Sequence, residues 1–329
     1  MVIKAIWITT ALALITTDLT LAQEPAKIPR IGFLQVRVSP TPSAPDPLAD
    51  AFRNGLRDHN YVEGKTVIVE HRYAEGSEDR LRAFVTELVQ TKVDVLLVPS
   101  LAAIRAAKQA TTTIPIVIVT TSDPVATGIV DSLAHPGGNI TGVTRLTREL
   151  SGKRLELLRE AVPGISRVGV IEDSGRQTNT AFRDYETAAN ALKLTIKSLA
   201  VGSSQPDFER TIQAAVRDRV NALITVRDAL TAANLKLIAE LAIKHRLPSM
   251  NEDSPYVDAG GLMSYAANDA AQFRRAAYYV DRILKGTKPH DLPIEQPTKF
   301  EFVINLRTAK QIGVNVPQSV LFRADRVIR

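Results

Sequence analysis

The sequence predicts an α/β protein of two Rossmann-like lobes, each a parallel sheet flanked by helices, joined by hinge strands. Three observations predict it. Short apolar runs alternate with amphipathic helical patterns along the chain from Ile31 onward. The alternation stops and restarts once, at the glycine-bearing stretch Pro136–Thr144. The length of 329 residues accommodates about two domains at roughly 150 residues each.

The elements follow in order. Ile31–Gln35 reads as a first strand, followed by a helix over Asp46–His59 with Leu48, Phe52 and Leu56 on one face. A strand at Thr66–Glu70 precedes a helix over Asp79–Gln90, whose apolar face carries Leu81, Phe84, Val85 and Leu88. Val93–Val98 is a strand, Ala102–Ala110 an alanine-rich helix, and Pro115–Val119 a strand. The second series places helices at Arg148–Ala161, Thr178–Leu192, Pro206–Val216 and Ala229–His245. Its strands are Arg167–Ile171, Leu194–Leu199, Ala222–Val226 and Leu247–Met250. Two such series imply two parallel sheets wrapped by helices.

Two seams join them. The first is Pro136–Thr144; the second is Ala259–Tyr265, followed by a helix over Asp269–Lys285 that Gly286 terminates. Two seams make two hinge strands. The expected first lobe is residues 30–143 plus about 262–290, the expected second lobe 144–261, and residues 291–329 are left without a lobe.

Composition narrows the function. Hydrophobic residues are 45% and charged residues 23%, an ordinary globular balance that excludes a disordered chain. Aromatics are only 5%, so the cores are built from Val, Ile, Leu and Ala, as buried parallel strands require. The net charge of +6 comes from scattered lysines and arginines, and neither zinc-finger spacing nor a basic helix points to nucleic acid. Cysteine is absent, which excludes disulfides, thiol catalysis, thiolate metal sites and a lipidated cysteine anchor. The five histidines are far apart and make no metal-ligand spacing. No Walker loop is present, Gly32 lacks the following glycines of a dinucleotide fingerprint, and no histidine falls at an expected strand end. An enzyme is therefore not expected, and neither is a cofactor; a monomer is.

The N-terminus reads as an export signal. Lys4 precedes the apolar run Ala5–Ile15, too short for the about 20 residues of a membrane span, and Thr20-Leu21-Ala22 offers small residues before a cut at Gln23. Residues 1–22 are thus expected to be a signal peptide, and the rest of the chain to work in the periplasm without a lipid anchor.

In open α/β sheets, ligands bind at the carboxyl ends of strands. That rule selects the candidate binding residues. Gln35 ends the first strand, and a proline-rich loop over residues 37–47 follows it as a candidate lid. Ser100 and Leu101 open the helix after the third strand, where free N–H groups can take a carboxylate. Ser122 and Asp123 end the fourth strand; Asp123 either meets a ligand ammonium group or caps the turn before Pro124. In the second lobe Asp173 and Ser174 end one strand, and Arg227 and Asp228 end another. Arg227 can fork onto a carboxylate, while Asp228 can cap the next helix. Glu252, with Asn251 and Asp253, follows a third. Together these donors and acceptors suit a zwitterion, so an amino acid or related small carboxylate is the expected ligand.

Several stretches, in order, give the chain a resemblance to a family. They include Phe52-Arg53-Asn54-Gly55-Leu56, Ser122-Asp123-Pro124-Val125, His135-Pro136-Gly137-Gly138-Asn139-Ile140-Thr141-Gly142-Val143, Gly260-Gly261-Leu262-Met263-Ser264-Tyr265 and Gln296-Pro297-Thr298-Lys299-Phe300-Glu301. Over residues 30–328 the chain resembles the ABC-transporter substrate-binding proteins of the tryptophan/tyrosine type, with the type I periplasmic binding fold. It departs from them at Glu172–Arg176 and at Ala266-Ala267. The resemblance implies capture of a small molecule between the lobes and its delivery to an ABC permease in the inner membrane. The alternatives are a sensor partner that presents ligand to a membrane receptor, an enzyme, and a transcription-factor sensor core. The last would need a DNA-reading helix pair ahead of Ile31.

Overall fold

The structure is a computed structural model that describes residues 27–329 except 37, 43–44, 146, 148, 175–179 and 203. The expected signal peptide, residues 1–22, lies outside the described residues, as do parts of the candidate lid and of the loop after Ser174.

The first lobe is built from β1 (Arg30–Gln35), α1 (Pro47–Asp58), β2 (Ile68–Tyr73), α2 (Glu78–Gln90), β3 (Val95–Val98), α3 (Leu101–Ala110), β4 (Ile116–Thr120) and β5 (Ile140–Thr144). The five strands form one sheet in the order β2-β1-β3-β4-β5, every pair parallel. β3, β4 and β5 are buried along their whole length, which explains the unbroken Val, Leu and Ile runs of β3 and of residues 116–119 in β4. α1 begins where Asp46 caps the free N–H groups of Leu48 and Ala49, with Pro47 in the first turn. The second strand begins at Ile68 and not at the expected Thr66, because Thr66 is engaged in a turn: its hydroxyl accepts from the Val62 N–H and its own N–H donates to the Val62 carbonyl.

The second lobe runs through α4 (Ser151–Ala161), β6 (Arg167–Asp173), α5 (Thr180–Leu192), β7 (Thr195–Val201), α6 (Phe208–Arg217), β8 (Ala222–Thr225), α7 (Ala229–Ala233), α8 (Leu235–Lys244), β9 (Ser249–Asn251), α9 (Pro255–Asp258) and β10 (Met263–Ala267). After α10 (Asp269–Leu284) it is completed by β11 (Phe300–Asn305), α11 (Leu306–Ile312), α12 (Gln318–Leu321) and β12 (Arg326–Ile328). Its seven strands are ordered β12-β11-β10-β9-β8-β6-β7, parallel except where β11 meets β10. The helix expected over Ala229–His245 is broken at Asn234: a capping box of Asp228 and Thr231 nucleates one turn, and the Asn234 amide then bonds back to the Leu230 carbonyl.

The lobes are joined by three passages of the chain where two were expected. The chain leaves the first sheet after Thr144 and returns after Ala267, so β10 belongs to the second sheet, not to a first lobe beginning near 262. Gly260-Gly261 is no hinge: a Cβ on Gly261 would lie 2.1 Å from the Tyr256 ring, and the glycine lets α9 fold tightly back before β10. The third passage follows Glu295, whose backbone pairs with Gly142 and Thr144 beside β5, before β11 enters the second sheet. Residues 291–329, unassigned from sequence, thus divide: Leu292 and Ile294 lie in first-lobe cores, and 300–328 extend the second sheet. α10 packs on α1, with Phe273, Ala276, Ala277 and Val280 in one core with Phe33, Phe52 and Leu56.

Candidate functional site

The strand ends of the first lobe carry four sets of polar groups. Gln35, 2% exposed at the end of β1, donates to the Asp46 carboxylate at 2.6 Å, and the Tyr73 hydroxyl at the end of β2 donates to the same oxygen at 3.2 Å. Ser100 caps α3 by accepting from the Ala103 N–H at 3.2 Å, with Leu101 the first helical residue. Ser122 is buried, and its N–H donates to the Thr120 hydroxyl at 3.1 Å. Asp123 is exposed and accepts from the N–H groups of Val125 and Ala126 at 2.8 and 3.1 Å, so the capping geometry is realised.

In the second lobe the expected residues are brought into direct contact. The Asp173 N–H at the end of β6 donates to Asp228 at 3.1 Å, and the other Asp228 oxygen accepts from the Thr231 N–H at 2.8 Å. Ser174 donates its N–H to the Val201 carbonyl. The Arg227 N–H donates to Glu252 at 2.9 Å. Glu252 is only 4% exposed and faces inward: its second oxygen accepts from the Tyr185 hydroxyl at 2.7 Å and from Arg154 at 3.3 Å. Burial first, and then Glu252, push the Tyr185 phenol well above its ordinary value against the opposing pull of Arg154. Arg154, fully buried on α4, also donates to the carbonyls of Thr147 at 2.6 Å and Tyr265 at 2.7 Å, tying the first passage between the lobes to the strand that leads into the second.

Strand ends of the two lobes meet at Arg227. Its Nη2 lies 3.5 Å from Asp253 in its own lobe and 2.6 Å from Asp269, the first residue of α10. The other Asp269 oxygen lies 3.4 Å from Nε of Arg145, the residue that follows β5. Burial opposes the Arg227 charge, but Asp253 and Asp269 more than offset it, and the guanidinium is held protonated above its ordinary range. Nε and Nη1 of Arg227 make no hydrogen bond to the described residues, so the guanidinium has donors left for an anion.

The structure brings the expected Arg227, Asp228 and Glu252 together with Arg145, Asp269, Arg154 and Tyr185, which the sequence reading did not assign to the site. Arg145 and Asp269 were legible in principle, since each lies within two residues of a strand end at a passage between lobes. Arg154 and Tyr185 carried no signal, being polar residues within helices. Among the described residues no group of His, Cys, Asp and Glu is placed to hold a metal ion. Two broad surface grooves lie elsewhere, one over β7 beside α6 and one between α2 and α3, and neither includes a residue of the ion-pair cluster.

Comparisons with known proteins agree with this architecture. The tyrosine-binding protein of Clostridioides difficile (strain R20291) is 23% identical over 273 residues, covering 82% of this chain and 77% of its own. An ABC domain in complex with L-Trp from Streptococcus pneumonia superimposes with a TM-score of 0.80 at 25% identity, covering 91% of this chain and 99% of that one. A conserved domain protein from Vibrio cholerae gives a TM-score of 0.79 at 24% identity over 92% of this chain and all of its own, which supports the fold. The family model for ABC transporter substrate binding proteins matches residues 41–328, and the chain belongs to that family.

Proposed function

We propose that this protein captures a small carboxylate, an amino acid or a close relative, between the strand ends of its two lobes, in the periplasm, and delivers it to an ABC permease. The observation that carries the reading is Arg227, a desolvated and firmly charged guanidinium with Nε–H and Nη1–H donors to spare at the point where the lobes meet. A planar fork in a poorly hydrated setting matches the two oxygens of a carboxylate. The N-terminus of α3 at Ser100 is a second donor group on the facing lobe, and exposed Asp123 is the partner for a ligand ammonium. Asp173, Asp228 and Glu252 hold the Arg227 loop in place, with Gln35, Leu101, Ser122 and Ser174 as the further strand-end residues of the proposed site. The relatives described as tyrosine-binding and as a complex with L-Trp support the ligand class. Closure follows from contacts that ligand makes with both lobes at once. The role is capture and release, without turnover.

The test is direct. A chain starting at Gln23 has no tryptophan, because Trp7 is the only one, so added L-tryptophan reports its own binding by fluorescence. Titrations of amino acids and small carboxylates into this chain should give saturable binding for at least one, lost in Arg227→Gln. Binding that survives the Arg227 substitution unchanged, or no binding by any member of the panel, refutes the reading.

A further inference from the structure

Asp269 begins α10 but is not its cap. The side chain of Asn268 caps α10, accepting from the Ala271 N–H at 2.9 Å. The Asp269 carboxylate instead spans between two arginines, 2.6 Å from Arg227 of the second lobe and 3.4 Å from Arg145 of the first. All three side chains are nearly dry, with exposures of 14% for Arg227, 5% for Arg145 and 12% for Asp269. Each end is anchored in its own lobe. α10 is packed on α1, and Arg145 lies over the Phe273 ring and donates to the Val119 carbonyl. The backbone of Arg227 is tied to Glu252, which Arg154 and Tyr185 hold in turn.

We propose that Asp269 is the positioning residue that couples the angle between the lobes to the orientation of the Arg227 fork. Two guanidinium groups from opposite lobes converge on one carboxylate in a setting of low polarity, where charge interactions are strong. Without the carboxylate the two cations face each other and repel, and Arg227 retains only Asp253, on its own lobe. With it, Nη2 is taken up from the side of α10, and the Nε–H and Nη1–H donors remain for an anion. The ligand part of this statement rests on the reading of Arg227 as the carboxylate anchor; the lobe part does not.

The experiment separates the two. The chain has no cysteine, so the double variant Arg82→Cys/Lys236→Cys places one spin label on α2 and one on α8, both at exposed positions. Interlobe distances are read by pulsed electron resonance without ligand, in this background and with Asp269→Asn or Asp269→Glu added. The expected result is a main peak that shifts or broadens beyond its original width in Asp269→Asn and stays in place in Asp269→Glu, which keeps the charge. An unchanged distribution in Asp269→Asn overturns the proposal, whatever happens to stability. The second arm titrates L-tyrosine and L-tyrosinamide, which lacks the carboxylate. Asp269→Asn should weaken tyrosine by about tenfold and tyrosinamide by far less. Equal weakening of both overturns the orientation of the fork. Absence of tyrosine binding in the unsubstituted protein counts against the ligand reading alone, since the distance measurement needs no ligand.

Discussion

Arg154 and Glu252 lie 3.3 Å apart, the guanidinium fully buried and the carboxylate 4% exposed, directly behind the loop that carries Arg227. Removing one member of such a pair leaves the other charge buried alone, at a cost of about 3–5 kcal/mol. Arg154→Met should lower the unfolding free energy by about that much in urea titrations. The double variant Arg154→Met/Glu252→Gln should recover part of the loss, because no uncompensated charge remains. A single variant as stable as the parent would show that the pair does not anchor the loop.

Gly55 on α1 faces α10 at close range. A Cβ there would lie 2.5 Å from the Arg274 carbonyl and 2.8 Å from the Ala277 Cβ. Gly55→Ala therefore gains helix propensity but forces the two helices apart, and overpacking of this kind costs about 1–3 kcal/mol. The expected outcome is a lower thermal midpoint. A raised midpoint would mean that α1 and α10 separate freely.

Stability should fall on mild acidification through His71. Burial holds its imidazole below the ordinary 6.5, with Glu63 opposing more weakly. The unfolded chain then binds a proton that the folded chain resists, so the contribution is fully present above 6.5 and declines as pH falls through that value toward the folded pKa. The thermal midpoint should drop between about pH 7.5 and about pH 5.5, and by less in His71→Gln. Equal drops in both proteins would place the dependence elsewhere.

Much of this fold was legible in the chain. The apolar runs of β3, β4 and β8 are short, continuous and bounded by turns, so their strands were located to within two residues, and α10 was bounded by Asn268 and Gly286. The errors lie where local pattern loses to tertiary context. The break at Asn234 comes from capping by Asp228, which competes with the helical periodicity that runs through it. The third passage was invisible because residues 296–299 form no element of their own, and glycine content drew attention to 260–261 instead. The strand-end rule reached Arg227 and its own-lobe partners Glu252 and Asp253 but stopped short of Asp269 and Arg145. Asp269 was read as the start of a helix and Arg145 was not singled out, and only the meeting of the lobes shows that they form an ion pair.

That α10 completes the core of the first lobe has a consequence for biogenesis. Phe273, Ala276, Ala277 and Val280 share one core with Phe33 of β1 and Phe52 and Leu56 of α1, yet a ribosome adds them only after the whole central stretch of the other lobe. The leading half of the chain therefore emerges without the helix it needs, and vectorial synthesis leaves it unable to reach its final state until translation is nearly over. A polypeptide kept pliable in this way can still be threaded through a narrow pore.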